Sequence, residues 1–236
     1  MTKIEWCDDV LNSAWGCRNN CNFCYAKKLA RIRGHRIGKA RGYSEDIIQK
    51  MINFEPVFFP DYEKIFEKVC NTKKKKRIFV DSMSDICCWE SEWLYKVLNK
   101  VREYPQHMFI FLTKDFDVYA DFEFPQNCWL GYTIINQKQM DSLCYDDFFY
   151  PPETGNKFFI SIEPIQEFIT IKIPCDWVIT GIETGNRKEK IIPKLEWIES
   201  LYDYCKENEI PFFMKDSLKK LYNQELIQQF PEEADK

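Results

Sequence analysis

Ile78-Phe79-Val80-Asp81-Ser82 decides how this chain folds. Three apolar residues in a row, two of them β-branched, stop at a carboxylate and a hydroxyl. A strand with one wet face alternates apolar and polar side chains. A continuous run suits a strand buried on both faces, as in a parallel sheet. The pattern recurs. Met108 to Leu112 runs into Thr113-Lys114, and Cys128-Trp129-Leu130-Gly131-Tyr132 into Thr133. Phe158-Phe159-Ile160 runs into Ser161-Ile162-Glu163, Trp177-Val178-Ile179 into Thr180-Gly181-Ile182-Glu183, and Ile210 to Met214 into Lys215-Asp216.

Helical patterns fill the intervals. Trp93, Leu94, Val97, Leu98 and Val101 share one face; Leu195, Ile198, Leu201, Tyr202 and Cys205 share another. A weaker helical pattern covers Asn136 to Phe149, where Tyr145-Asp146-Asp147 reads equally as loop. Strand then helix, repeated, predicts an α/β fold with parallel strands. Val10 to Trp15 reads as an entry strand ending at Gly16, which brings the total to about seven strands and predicts a partial or near-complete (β/α) barrel. A doubly wound open sheet is the alternative, but no G-x-G-x-x-G follows the first strand. A single domain over residues 1–236 is expected. Residues 35–60 read as the longest irregular stretch, and the charged tail 231–236 as frayed.

The 236 residues suffice for a substantial core, and 45% hydrophobic with 16% aromatic residues predicts a folded globule. A formal net charge of -4 argues against a general nucleic-acid coat protein and leaves room for a local basic patch. Met1 to Trp6 has no signal-peptide core, and no apolar run approaches a membrane span. A cytoplasmic protein without membrane contact is expected. In a reducing compartment the 11 cysteines read as metal ligands and free thiols rather than a disulfide framework.

Three of those cysteines stand together in Cys17-Arg18-Asn19-Asn20-Cys21-Asn22-Phe23-Cys24, spaced C-x3-C-x2-C. Three thiolates on one tight loop can hold three irons of a [4Fe–4S] cluster. A closed cluster takes four cysteines, so the fourth iron is left open to a ligand that is not protein. Two other readings stay open: half of a zinc site, although no second C-x2-C follows and the only histidines are His35 and His107, or ordinary buried thiols. Tyr25 to Arg33 then reads as a helix ending near Gly34, with Ala26, Leu29, Ala30 and Ile32 apolar. Arg31, Arg33, His35, Arg36, Lys39 and Arg41 form a basic run, read either as a solvated loop or as a contact for phosphate. Lys73-Lys74-Lys75-Lys76-Arg77 reads as a solvated turn.

In (β/α) barrels the site lies at the carboxyl ends of the strands. Here those ends supply Asp81, Ser82, Ser84, Asp85, Thr113, Lys114, Thr133, Glu163, Glu183 and Lys215. Carboxylates and lysines directly after apolar runs are costly unless paired or used. Mutual pairing is the structural alternative for Glu163, Glu183, Lys114 and Lys215. Cys87-Cys88 lies near the same rim, read as packed thiols or as a source of a hydrogen atom.

The ordered set of segments resembles a phage-associated, radical S-adenosylmethionine (SAM)-like family of unassigned function. It comprises Thr2-Lys3-Ile4-Glu5-Trp6, the cysteine loop running into Tyr25-Ala26, Ser82-Met83-Ser84-Asp85 and Leu112-Thr113-Lys114. It continues with Trp129-Leu130-Gly131, Ser161-Ile162-Glu163-Pro164, Thr184-Gly185 and Phe213-Met214-Lys215-Asp216. The resemblance implies a radical SAM type of barrel in which Cys17, Cys21 and Cys24 ligate a [4Fe–4S] cluster and SAM binds the open iron. Reductive cleavage would yield a 5′-deoxyadenosyl radical that takes hydrogen from the substrate, with electrons from a flavodoxin- or ferredoxin-like donor. Ser82-Met83-Ser84-Asp85 stands where such proteins often carry Gly-Gly-Glu, so Ser82, Ser84 and Asp85, with Thr113 and Thr133, are expected to bind SAM. Glu163, Glu183, Lys114 and Lys215 are expected to act in substrate binding or proton transfer. A phage-linked setting favours a nucleic acid or nucleotide as substrate, for modification or repair. The alternatives are a non-catalytic iron–sulfur or zinc module for sensing or assembly, and a peptide-modifying radical SAM enzyme. No cysteine follows Lys215, where extra clusters of the latter kind would sit.

Overall fold

The computed structural model describes residues 4–143, 155–184 and 187–231. The chain forms two compact units, one of Cys7–Cys128 and one of Met1–Trp6 with Trp129–Lys236. In chain order the first contains β1 (Asp9–Leu11), β2 (Ala14–Trp15), α1 (Tyr25–Ala40), α2 (Glu45–Asn53), β3 (Val57–Phe58), α3 (Tyr62–Cys70), β4 (Arg77–Val80), α4 (Ser91–Arg102) and β5 (Met108–Thr113). β6 (Cys128–Thr133) begins at the boundary. The second then carries α5 (Gln137–Ser142), β7 (Lys157–Ile162), β8 (Trp177–Thr180), α6 (Leu195–Glu207) and β9 (Phe212–Met214).

Every apolar run becomes a strand, and the pairing is parallel as expected. In the first unit β1 pairs with β4 and β4 with β5. In the second the order is β6-β7-β8-β9. Leu11, Ile78, Val80, Phe109 and Phe111 are buried in the first unit, with Leu94, Leu98 and Val101 of α4 also inside. Phe158, Ile160, Val178 and Phe212 are buried in the second, where α6 contributes Ile198, Leu201 and Cys205. The helical expectation over Asn136 to Phe149 is met from Gln137 to Ser142, and residues 144–149 lie outside the described ones.

Four readings change. The entry segment is two strands: β2 leaves the parallel sheet and pairs antiparallel with β3, Trp15 opposite Val57. Asp81 is the physical reason, since its carboxylate accepts the Ala14 N–H at 2.8 Å and the Met83 N–H at 3.2 Å, drawing the chain out of line after Asn12. Residues 35–60 are largely helical, not irregular. α1 also runs through Gly34 to Ala40, because Ala26, Ala30, Gly34 and Gly38, four residues apart, let it lie close on α2. A Cβ on Gly38 would sit 2.6 Å from Cγ1 of Ile48, so only glycine permits this approach. Ile32, expected on the apolar face, points outward and is 75% exposed.

Candidate metal and cofactor site

The cysteine loop leaves β2 through Gly16, whose φ is +89° and where a Cβ would fall 2.1 Å from the Glu55 carbonyl oxygen. A glycine is required there on both counts. The Gly16 N–H bonds the Met83 carbonyl at 2.9 Å, tying the loop to the segment that follows β4. Cys24 then caps α1, its sulfur accepting the Lys27 N–H at 3.3 Å. Asn19 N–H reaches the Cys17 sulfur at 3.4 Å, and the Cys24 N–H bonds the Cys21 carbonyl. Burial raises the Cys21 thiol, and the charge of Lys114 opposes that shift.

Asp85 joins the loop to the strand ends. Its Oδ1 accepts from Thr113 Oγ1 at 2.6 Å and from Cys87 N–H at 3.3 Å; its Oδ2 accepts from Asn19 Nδ2 at 2.8 Å and from Lys114 N–H at 3.1 Å. Four donors fill the acceptor sites of a carboxylate. Thr113, 1% exposed, is occupied with Asp85 and Asp115. Ser84 Oγ accepts the Trp89 indole N–H at 2.9 Å. Ser82 donates its N–H at 2.8 Å and its hydroxyl at 3.0 Å to Asn12 Oδ1, and its carbonyl accepts the Tyr25 hydroxyl. All of these come together around Cys17–Cys24 at the carboxyl ends of β1, β4 and β5.

Cys88 is the residue whose weight the sequence understated. Its sulfur lies 3.8 Å from that of Cys17 and 3.8 Å from that of Cys87, and accepts the Arg18 N–H at 3.2 Å. Those thiol contacts hold Cys88 well below the ordinary thiol range, while Cys17 and Cys87 are raised by the same contacts and by burial. A Cys-Cys pair just past a strand end was the available signal; its distance from the loop was not readable from spacing.

Among the described residues no three His, Cys, Asp or Glu side chains close on one point as a single ion requires. A cubane makes a different demand, since each thiolate binds a different iron. Three thiols on one loop, two of them accepting backbone N–H bonds at sulfur, fit such a cluster, because these bonds stabilise thiolate ligands.

The second unit holds the other expected residues, also at strand ends. Lys215, just after β9, donates to Glu163, just after β7, at 2.5 Å, and lies 4.0 Å from Glu5. Gly181 leaves room for that pair: a Cβ there would stand 3.1 Å from Lys215 Cδ and 3.4 Å from Glu163 Cδ. Glu183, 6% exposed, instead takes both arms of the Arg187 guanidinium, at 2.8 and 2.7 Å. Thr133 is buried at the end of β6, opposite Ser161. Glu163, Glu183 and Lys215 thus all have ion-pair partners.

No curated protein and no solved structure matches the chain. A family model matches residues 1–228, nearly the whole length and both units, including every residue of the cysteine loop. The chain belongs to that family, described as "Protein of unknown function (DUF5131)".

Proposed function

We propose that this protein is a radical SAM enzyme with a partial (β/α) barrel of that type, acting in the cytoplasm on a nucleic acid or nucleotide. The single observation that carries the reading is the C-x3-C-x2-C loop. It is set at the carboxyl ends of parallel strands, capped into α1 by Cys24 and cross-tied by Asn19–Asp85. Cys17, Cys21 and Cys24 would hold the cluster. When bound, the cluster supplies the electron for cleaving the sulfonium of SAM, drawn from a flavodoxin- or ferredoxin-like donor. Asp85 fixes the loop against β5 and spends its acceptors doing so. Direct contact with the SAM amino group then falls to the Ser82 and Ser84 hydroxyls. Lys114 offsets anionic charge beside Cys21. In the second unit Thr133, Glu163, Glu183 and Lys215 serve substrate binding or proton transfer, with Lys215 ion-paired to Glu163.

The test is anaerobic. Protein reconstituted with iron and sulfide, given SAM and dithionite, should yield 5′-deoxyadenosine by mass spectrometry, and Cys17→Ala, Cys21→Ala and Cys24→Ala should each abolish it. A folded, cluster-loaded protein that neither binds SAM nor forms 5′-deoxyadenosine would overturn the reading.

One observation favours a second reading. Cys88 beside Cys17 offers a fourth thiolate, and a four-cysteine cluster has no open iron. The protein would then be a non-catalytic iron–sulfur module. In that case native holoprotein gives no SAM binding in calorimetry, and Cys88→Ala gains it.

A further inference from the structure

Helix α1 divides its residues by size and charge. Ala26, Ala30, Gly34 and Gly38 are buried against α2. On the opposite side Lys28, Arg31, Ile32, His35, Arg36 and Lys39 are all exposed, at the i, i+3, i+4 spacing of one helix face. The sequence of α1, Tyr-Ala-Lys-Lys-Leu-Ala-Arg-Ile-Arg-Gly-His-Arg-Ile-Gly-Lys-Ala, contains no acidic residue, in a chain whose net charge is -4. Lys39 pairs with Glu45 of α2, and Lys27 bonds Asn20. Lys28, Arg31, Arg33 and Arg36 make no ion pair and no hydrogen bond among the described residues. Three of these, Lys28, Arg31 and Arg36, lie on the outward face, where uncompensated cations repel one another, so the face is set up for an outside anion.

The other basic run differs. Lys76 and Arg77 pair with Asp9 and Asp8, and the run lies at the amino end of β4, away from the cysteine loop. Cys24 is the N-cap of α1, so the charged stripe starts one turn from the last cysteine. From Lys28 to Lys39 the stripe is about 17 Å long at 1.5 Å per residue, which matches about five phosphates at 3.4 Å per step.

We propose that the outward face of α1 is a docking surface for the phosphodiester backbone of a polynucleotide, leading the strand to the cysteine loop. This rests on the nucleic-acid reading above and narrows it from nucleotide to polymer. Charge complementarity names the occupant: repeating phosphates match repeating Lys and Arg. An anionic membrane is the poorer fit, because an interfacial helix needs a broad apolar face. Here the side away from the charges is Ala and Gly packed on α2, and Ile32 is the one large apolar residue in the stripe.

The test measures binding of the full chain to fluorescein-labelled 20-nucleotide single-stranded DNA, RNA of the same sequence, duplex DNA, and phosphatidylserine vesicles, from 50 to 200 mM salt. Three contacts predict a slope of log K against log salt near −2.1 on a single strand, a weakening of about 18-fold across that range. The combined variant Lys28→Glu, Arg31→Glu, Arg36→Glu should lose at least about tenfold in affinity and flatten the slope by about 2. Lys73→Glu, Lys74→Glu, Lys75→Glu should leave both unchanged. The polynucleotide bound most tightly names the polymer. No polynucleotide binding, a salt-independent affinity, equal loss in the two variants, or tighter binding to vesicles would overturn the proposal. The readout needs no cluster, SAM or turnover. Its failure leaves a positive 5′-deoxyadenosine result standing, and a negative one leaves this surface standing.

Discussion

Asp81 and Asp85 are four residues apart in one segment, and their surroundings give them different work. Asp85 accepts from four donors on three segments and holds the cysteine loop to the ends of β4 and β5. The sequence marked it as a strand-end carboxylate. It did not reveal that the carboxylate is saturated, because its partners come from positions up to 66 residues away. Asp81 is 3% exposed, and burial pushes its carboxyl up to about 8, against the lowering effect of backbone N–H bonds from Ala14, Met83 and Ser13. The folded form therefore binds its proton more tightly than the unfolded form. Its contribution is fully present below about pH 4 and is lost as pH rises through about 8. In urea titrations the native protein should lose stability from pH 5 to pH 8, and Asp81→Asn should flatten that dependence. An equal slope in the variant would assign the pH effect to other groups.

At the scale of elements, the parallel strands were legible because burial on both faces writes itself into every residue of the run. The pairing of α1 with α2 was not. Glycines inside a basic stretch read locally as loop, and only the positions of the Met51–Ile52 backbone and of Ile48 show that Gly34 and Gly38 are packing residues. The start of α2 follows the ordinary rule, with the Ser44 side chain accepting the Ile47 N–H, while its end does not: Phe54 takes the left-handed C-cap conformation that usually falls to glycine. Gly38→Leu inserts a side chain where even a Cβ meets Ile48 at 2.6 Å, and should cost about 1–3 kcal/mol in chemical denaturation. Ile32→Leu, on the exposed face, should be silent within about 0.5 kcal/mol.

At the scale of the molecule, the sequence separated chemistry from scaffold only in part. The cysteine loop, Ser82 to Asp85, Thr113 and Lys114 belong to one unit; Thr133, Glu163, Glu183 and Lys215 belong to the other. Spacing along the chain carries no record of that division, because every strand end looks alike in sequence. Cluster loading should therefore be felt unevenly. Reconstitution with iron and sulfide should slow amide exchange, read by mass spectrometry, across residues 16–28 and 82–89, and leave 157–162 and 210–214 unchanged. Protection spread uniformly over the chain would show that the cluster stabilises more than its own loop.

Trp177 sits at the centre of the second unit, with Trp6 at 6.4 Å, Phe159 at 5.7 Å and Phe230 at 5.9 Å between ring centroids, and its indole N–H on the Gln229 carbonyl. One ring thus gathers residues from positions 6 and 230. During synthesis, at about 5–20 residues per second, the contacts within Cys7–Cys128 are available many seconds before those around Trp177 can close. Trp6 is made long before Trp177 and Phe159, its ring partners, so in the nascent chain its indole waits, open to a chaperone, until they arrive.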